Sequence, residues 1–267
     1  MPVAKVNSID INYTVTGQGE PLVMIMGLTA TQSGWKPQIP YFKKHFQVIT
    51  FDNRGIGRSS KPQGTYSIRM MADDTIGLMD YLHIEKAHIL GISMGGMIAQ
   101  EIAINYPSRV MKLILASTYC CEDKKLNGST LEMAKALKSP SRKAGKILIQ
   151  MAFNNPFNRF TLSFQSRLRS KFIRISDSVK AEIKNGVKSQ LGACLIHNTL
   201  DRLSSIQSPT LVIAGSRDRI IKPSSSEVIA GKIPHVRRVE VKNGSHSLNV
   251  EKKHIFNREV LHFLKNS

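Results

Sequence analysis

Residues 91–96 read Gly91-Ile92-Ser93-Met94-Gly95-Gly96, directly after the apolar run Ala87-His88-Ile89-Leu90 and directly before Met97-Ile98-Ala99-Gln100-Glu101-Ile102-Ala103. A short apolar run ending in glycine reads as a buried strand, and the stretch after it reads as a helix. Ser93 therefore stands on a strand-to-helix turn. A turn this tight has no room for side chains two positions either side of its tip, which accounts for Gly91 and Gly95. The hydroxyl is pushed into the open, and the helix N-terminus behind it favours negative charge. The stretch predicts a serine nucleophile.

Outward from this turn the first third of the chain alternates strand and helix signals. Val6–Thr16 alternates polar and apolar residues and turns at Gly17-Gln18-Gly19, and Leu22–Met26 is an apolar run. Phe46–Phe51 reads as a strand, Tyr66–Leu82 as a helix with Ile68, Met71, Ile76 and Met79 on one face, and Ala87–Ile92 as the strand before the serine. Helix Met94–Asn105 stops before Pro107, and Val110–Ala116 is the next strand. This rhythm predicts an α/β fold with a mostly parallel central sheet flanked by helices.

The rhythm breaks after Tyr119. From about Cys121 to Ser205 the stretches Leu131–Leu137, Ala144–Phe153, Thr161–Ile175 and Ser178–Cys194 read as helices, with no convincing strand among them. Strand signals resume at Thr210–Ala214 and Val236–Val241, and Glu251–Lys265 reads as a closing amphipathic helix. The expected organisation is a core in two parts, residues 1–120 and 206–267, with a helical lid over 121–205. Within the lid, Met133, Met151, Phe153, Phe157, Phe160 and Phe164 either line an apolar acyl site or pack on the domain below.

A serine hydroxyl needs a base to take its proton, and a histidine base works best with a carboxylate fixing its tautomer. The order serine, acid, histidine can be tested along the chain. Strand Thr210–Ala214 leads into Gly215-Ser216-Arg217-Asp218-Arg219, and strand Val236–Val241 into Lys242-Asn243-Gly244-Ser245-His246-Ser247. Both loops follow the C-terminal ends of strands, where open α/β sheets bind ligands. Alone, Asp218 could be a turn residue or a partner of Arg217 or Arg219. Of the eight histidines, only His246 follows a late strand in this way. The three together predict Ser93 as nucleophile, His246 as base and Asp218 as its orienting acid.

With these residues in place, the chain resembles the α/β-hydrolase superfamily over nearly its whole length. Val23–Trp35 is similar to the family's oxyanion loop, and Asp52-Asn53-Arg54-Gly55-Ile56-Gly57-Arg58-Ser59 to its D-x-R-G-x-G-x-S loop. Leu90–Pro107 and Ala214–Pro223 resemble the subgroup of 3-oxoadipate enol-lactonases, small-ester esterases and cofactor-free haloperoxidases. The resemblance implies the same three roles, oxyanion donors at the backbone N–H groups of Leu28 and Met94, and hydrolysis of a carboxylic ester, thioester or lactone. Met26-Gly27 replaces the His-Gly of many relatives, which spares a backbone hole and is expected to make the pocket floor more apolar. A serine nucleophile argues against haloalkane dehalogenase and epoxide hydrolase chemistry.

The bulk composition adds limits. The chain has 267 residues, 41% of them hydrophobic, enough for a substantial core, and no apolar run approaches the roughly 20 residues needed to cross a bilayer. Three cysteines without a disulfide or metal spacing, and an N-terminus without a signal-peptide core, predict reduced thiols in a cytoplasmic protein. No cofactor or metal is implied, since there is no zinc spacing, Walker loop or dinucleotide glycine pattern. Lys and Arg number 38 against 19 Asp and Glu, a formal +19. Residues 121–205 hold 16 of the cations and only 6 of the anions, most densely at Arg167, Arg169, Lys171 and Arg174. Such a field is either a solvated surface or a dock for an acidic partner, such as an acyl carrier or an anionic membrane. No specific nucleic-acid motif accompanies it. The expected ligand is a small ester or lactone. A carrier-borne acyl group and a slow-turnover receptor of the same fold are the alternatives, and the oligomeric state is not readable.

Overall fold

The computed structural model describes residues 2–121 and 177–266, with the backbone alone described over 177–184. The expected helices at 131–137, 144–153 and 161–175, and the six Met and Phe candidates for the acyl site, lie outside the described residues. The strands are β1 (Val3–Val6), β2 (Ile9–Thr16), β3 (Pro21–Ile25), β4 (Gln47–Phe51), β5 (Ala87–Ile92), β6 (Val110–Ala116), β7 (Thr210–Gly215) and β8 (Val236–Val241). The helices are α1 (Ile39–Phe42), α2 (Ile68–Tyr81), α3 (Met94–Asn105), α4 (Asp177–Leu195), α5 (Pro223–Ala230), α6 (Leu248–Glu251) and α7 (Lys253–Asn266).

The strands form one sheet in the order β1-β2-β4-β3-β5-β6-β7-β8. The β1–β2 and β2–β4 pairs are antiparallel; from β4 to β8 every pair is parallel. Parallel strands covered on both faces are apolar throughout rather than alternating. Accordingly β5 and β7 are buried at every residue. Alternate side chains divide between two cores. Val23, Ile25, Ile89, Leu113 and Leu115 pack with α2 and α3 residues on one face. Leu22, Met24, Leu90, Ile92, Ile114 and Ile213 pack with Trp35, Phe42, Phe256 and Val260 on the other. β8 closes the edge with exposed Arg237, Arg238 and Glu240, whose ion pairs to Glu259 and Glu227 keep that edge charged.

β3 is paired with β4 on one side and β5 on the other, so the chain leaves β3 in one direction and returns in the other. The loops after β3 and β5 therefore diverge from a common point, the switch point where an open α/β sheet holds its crevice. Ile25 pairs with Gly91 at that end of the sheet, which sets the loop beginning at Met26 beside the Ser93 turn. β6 pairs directly with β7, Leu113 opposite Thr210, so the sheet is continuous across the long segment between them.

One expectation needs correction. Val6–Thr16 is not one strand, because β1 and β2 form a hairpin around Asn7 and Ser8, both at positive φ (47° and 63°). The closing helix is α7, within two residues of its expected bounds, and the short α6 precedes it, separated by Lys252. Helix α5 was unforeseen; its Pro223 occupies the first helical turn, where a missing N–H costs nothing.

Candidate active site

The site is built from four loops at the C-terminal ends of β3, β5, β7 and β8. At the end of β5, Ser93 has φ 56° and ψ −123°, outside the regions open to ordinary L-residues. Such a backbone costs roughly 1–3 kcal/mol and persists only where its surroundings over-determine it. Here they do. Ser93 N–H donates to Ala116 O (2.9 Å), and Ser93 C=O accepts from Gly96 N (2.8 Å), Met97 N (3.3 Å) and the Thr118 hydroxyl (2.8 Å). All four bonds use the main chain, so the side chain is left for other partners.

The glycines of the turn are required by space. A Cβ on Gly91 would stand 2.1 Å from Gly95 O, and one on Gly95 would stand 2.1 Å from Ile25 O. Gly95→Ala is thus expected to destabilise the fold by about 1–3 kcal/mol through overpacking, lowering Tm and turnover together. Gly192→Ala is the matched control. A Cβ at Gly192 meets nothing within 4 Å, and replacing glycine inside helix α4 is expected to raise Tm slightly.

Asp218 and His246 come from the loops after β7 and β8, which are tied to one another. Arg217 N–H donates to Gly244 O (2.8 Å), Ser216 N–H to Val241 O (3.0 Å), and Asn243 N–H to the Ser216 hydroxyl (2.8 Å). Asp218 is buried, and its Oδ1 accepts from the N–H groups of Ile220 and Ile221, each at 2.9 Å. Its other oxygen, Oδ2, lies 2.8 Å from His246 Nδ1, and His246 Nε2 lies 3.1 Å from Ser93 Oγ. An ionised carboxylate can only accept. Nδ1 is thereby assigned the proton, and Nε2 offers its lone pair to the serine hydroxyl. The structure brings Ser93, His246 and Asp218 into one hydrogen-bonded chain, and Asp218 spends both oxygens on His246 and backbone amides rather than on Arg217 or Arg219.

The loop after β3 lies against the serine. A Cβ on Gly27 would stand 3.0 Å from Ser93 Cβ and 3.5 Å from Ser93 Oγ. Gly27-Leu28-Thr29-Ala30 is a tight turn closed by Ala30 N–H to Gly27 O (3.2 Å), with Thr29 at φ 67°. Leu28 shares a cleft with Ser93, Met97, Tyr119, Cys194, Ile220 and Ile221. Met94 is the first residue of α3, where an N–H has no intrahelical acceptor. Met26 departs from expectation. Its side chain lies over Gly34 and joins the core around Trp35, and it is not among the residues lining the cleft.

The D-x-R-G-x-G-x-S segment is scaffolding beneath this loop. Asp52 accepts from Gln32 N–H (2.8 Å) and Arg58 N–H (3.0 Å), and Arg54 forms a buried two-pronged ion pair with Asp74 of α2. Gly55 and Gly57 take φ 87° and 61°, which only glycine adopts freely. Among other titratable groups, burial pushes His197 down to about 4, with Glu101 opposing and Arg202 reinforcing the shift. Burial likewise raises Cys120 to about 12. Both are neutral at physiological pH, and neither is part of the hydrogen-bonded chain. Among the described residues no cluster of three His, Cys, Asp or Glu side chains could hold a metal ion, and no helix is long and apolar enough to cross a membrane.

A family model for the alpha/beta hydrolase fold matches residues 20–253. The chain belongs to the alpha/beta hydrolase family. As a family member it is a hydrolase, and its relatives differ in what their names assign to them. It is 32% identical over 254 residues to 3-oxoadipate enol-lactonase 2 of Acinetobacter baylyi, covering 94% of this chain and 92% of that one. A protein of Azorhizobium caulinodans, provisionally named carbamate hydrolase RutD, is 28% identical over 269 residues, 98% of each chain. The crystal structure of an enol-lactonase from Burkholderia xenovorans superposes with a TM-score of 0.82 at 27% identity, over 99% of this hydrolase and 100% of that chain.

Two contacts and one backbone conformation at this alpha/beta hydrolase site were not foreseen from sequence: Thr118 on the Ser93 carbonyl, Gln190 of α4 bridging two loops, and Thr29 in the left-handed region. The two contacts carry no local signal, because each acts on a backbone group far away in the chain.

Proposed function

We propose that this hydrolase cleaves a carboxylic ester, thioester or lactone through an acyl-serine intermediate. The observation that carries the reading is the continuous relay Ser93 Oγ–His246 Nε2 (3.1 Å) and His246 Nδ1–Asp218 Oδ2 (2.8 Å) opening on an apolar cleft. Ser93 Oγ attacks the carbonyl carbon as Nε2 takes its proton. The resulting oxyanion is met by the N–H groups of Leu28 and Met94, each worth a few kcal/mol of barrier. Collapse expels the alcohol, thiol or ring oxygen, which leaves with the proton from Nε2. Water then attacks the acyl-serine with Nε2 again as base, releasing the acid and restoring Ser93.

Leu28, Met97, Tyr119, Cys194, Ile220 and Ile221 give the cleft an uncharged wall, suited to an aliphatic or aromatic acyl chain. A series of p-nitrophenyl esters tests the reading. kcat/KM is expected to rise about threefold to fourfold per added methylene while the cleft fills, at ~0.8 kcal/mol per buried CH₂. An acyl chain of equal length ending in a carboxylate is expected to be the poorer substrate, because among the described residues lining the cleft none carries a charge to pair with it. A consistent preference for the carboxylate-ended chain would contradict the apolar acyl site.

A further inference from the structure

Helix α4 is seated on the core by three residues of its second half. Gly186 lies against Gly55 so closely that a Cβ would fall 2.0 Å from Gly55 O. Ser189 donates to Gly64 O (2.7 Å). Gln190, one turn beyond Gly186 and 0% exposed, uses both ends of its amide. Its Nε2 donates to Arg54 O (2.7 Å), and its Oε1 accepts from Thr29 N–H (3.3 Å).

The second bond bears on the reaction. Thr29 is β-branched and held at φ 67°, a conformation glycine or asparagine would take at little cost and threonine would not. Its N–H belongs to the central peptide of the Gly27–Ala30 turn. That peptide directly follows Leu28, a residue of the Ser93 cleft whose own N–H is one of the two oxyanion donors in the proposed mechanism. A central peptide free to rotate would let the turn relax and carry the Leu28 N–H away from the oxyanion position. Gln190 supplies a fixed acceptor that opposes this relaxation, and its anchor at Arg54 is itself fixed by the Arg54–Asp74 ion pair.

We propose that Gln190 is a positioning residue that holds the Leu28 oxyanion donor in place, so that the competence of the turn depends on the seating of α4. This rests on the acyl-serine reading above. The test uses the full-length chain with p-nitrophenyl butyrate, and rates are expressed per active site titrated to completion with a fluorophosphonate. Gln190→Met keeps the length and removes both strong hydrogen bonds. It is expected to lower kcat about 10- to 100-fold, less than outright loss of an oxyanion donor, with KM changed less than about threefold. Gln190→Glu keeps an acceptor for Thr29 N–H and is expected to recover part of kcat; it carries the test if the Met variant does not fold. A kcat per titrated site within twofold of the parent in Gln190→Met, or a change confined to KM or to the yield of titratable sites, overturns the proposal. Failure of the parent protein to label at Ser93 would instead overturn the acyl-serine reading.

Discussion

Ser93→Ala is expected to lower kcat for a p-nitrophenyl ester by about 10^6-fold, leaving only what binding and oxyanion donors supply without a nucleophile. The variant is a clean one. Every hydrogen bond that pins the turn uses the main chain of Ser93: its N–H to Ala116 O, and its C=O with Gly96 N, Met97 N and Thr118 Oγ1. Alanine keeps the Cβ and therefore the same backbone strain at φ 56°. Tm is expected to stay within a few degrees of the parent, so that lost turnover reports lost chemistry. Steady-state kinetics on the folded variant checks this. Retained turnover would remove Ser93 from the mechanism.

Asp218→Asn is expected to cost about 10^4-fold in kcat, the scale for a triad acid replaced by its amide. The surroundings dictate how the amide must sit. Two backbone donors, Ile220 N–H and Ile221 N–H, converge on Oδ1 at 2.9 Å. They hold the asparagine carbonyl oxygen at that position and turn its NH₂ toward His246. An NH₂ group can only donate, so Nδ1 must become the acceptor and the imidazole proton moves to Nε2. The ring then presents an N–H to Ser93 and cannot accept its proton. Fold and burial are otherwise preserved, and KM is expected to change little. A kcat within tenfold of the parent would mean that Asp218 does not set the tautomer of His246.

The parts of this fold that sequence makes legible are those encoded by local physics. β5, α3 and β6 are bounded as read because an apolar run, a glycine-flanked serine and Pro107 each mark their own ends. Asp218 and His246 could be placed because each follows a strand in chain order, the buried β7 and the edge strand β8. The β1–β2 hairpin was missed because its turn is Asn7-Ser8, without the glycine that normally marks two consecutive positive φ values. Helix α5 was hidden by Ser224, Ser225 and Ser226, residues that favour caps and turns over helix interiors. Met26 reads as a floor residue beside Gly27, yet its direction is set by Gly34, whose missing side chain leaves space for it. Gln190 and Thr29 are 161 residues apart, and no periodicity announces a pair joined only through a backbone N–H.

Ser93, His246 and Asp218 account for the proposed chemistry only if the Ser93 hydroxyl is activated in solution. Labelling the intact protein with a fluorophosphonate, followed by peptide mapping, measures that property directly. One adduct per chain is expected, on Ser93, lost in Ser93→Ala and slowed by orders of magnitude in Asp218→Asn. An adduct on another residue, or ester turnover that persists with Ser93 unlabelled, would contradict it.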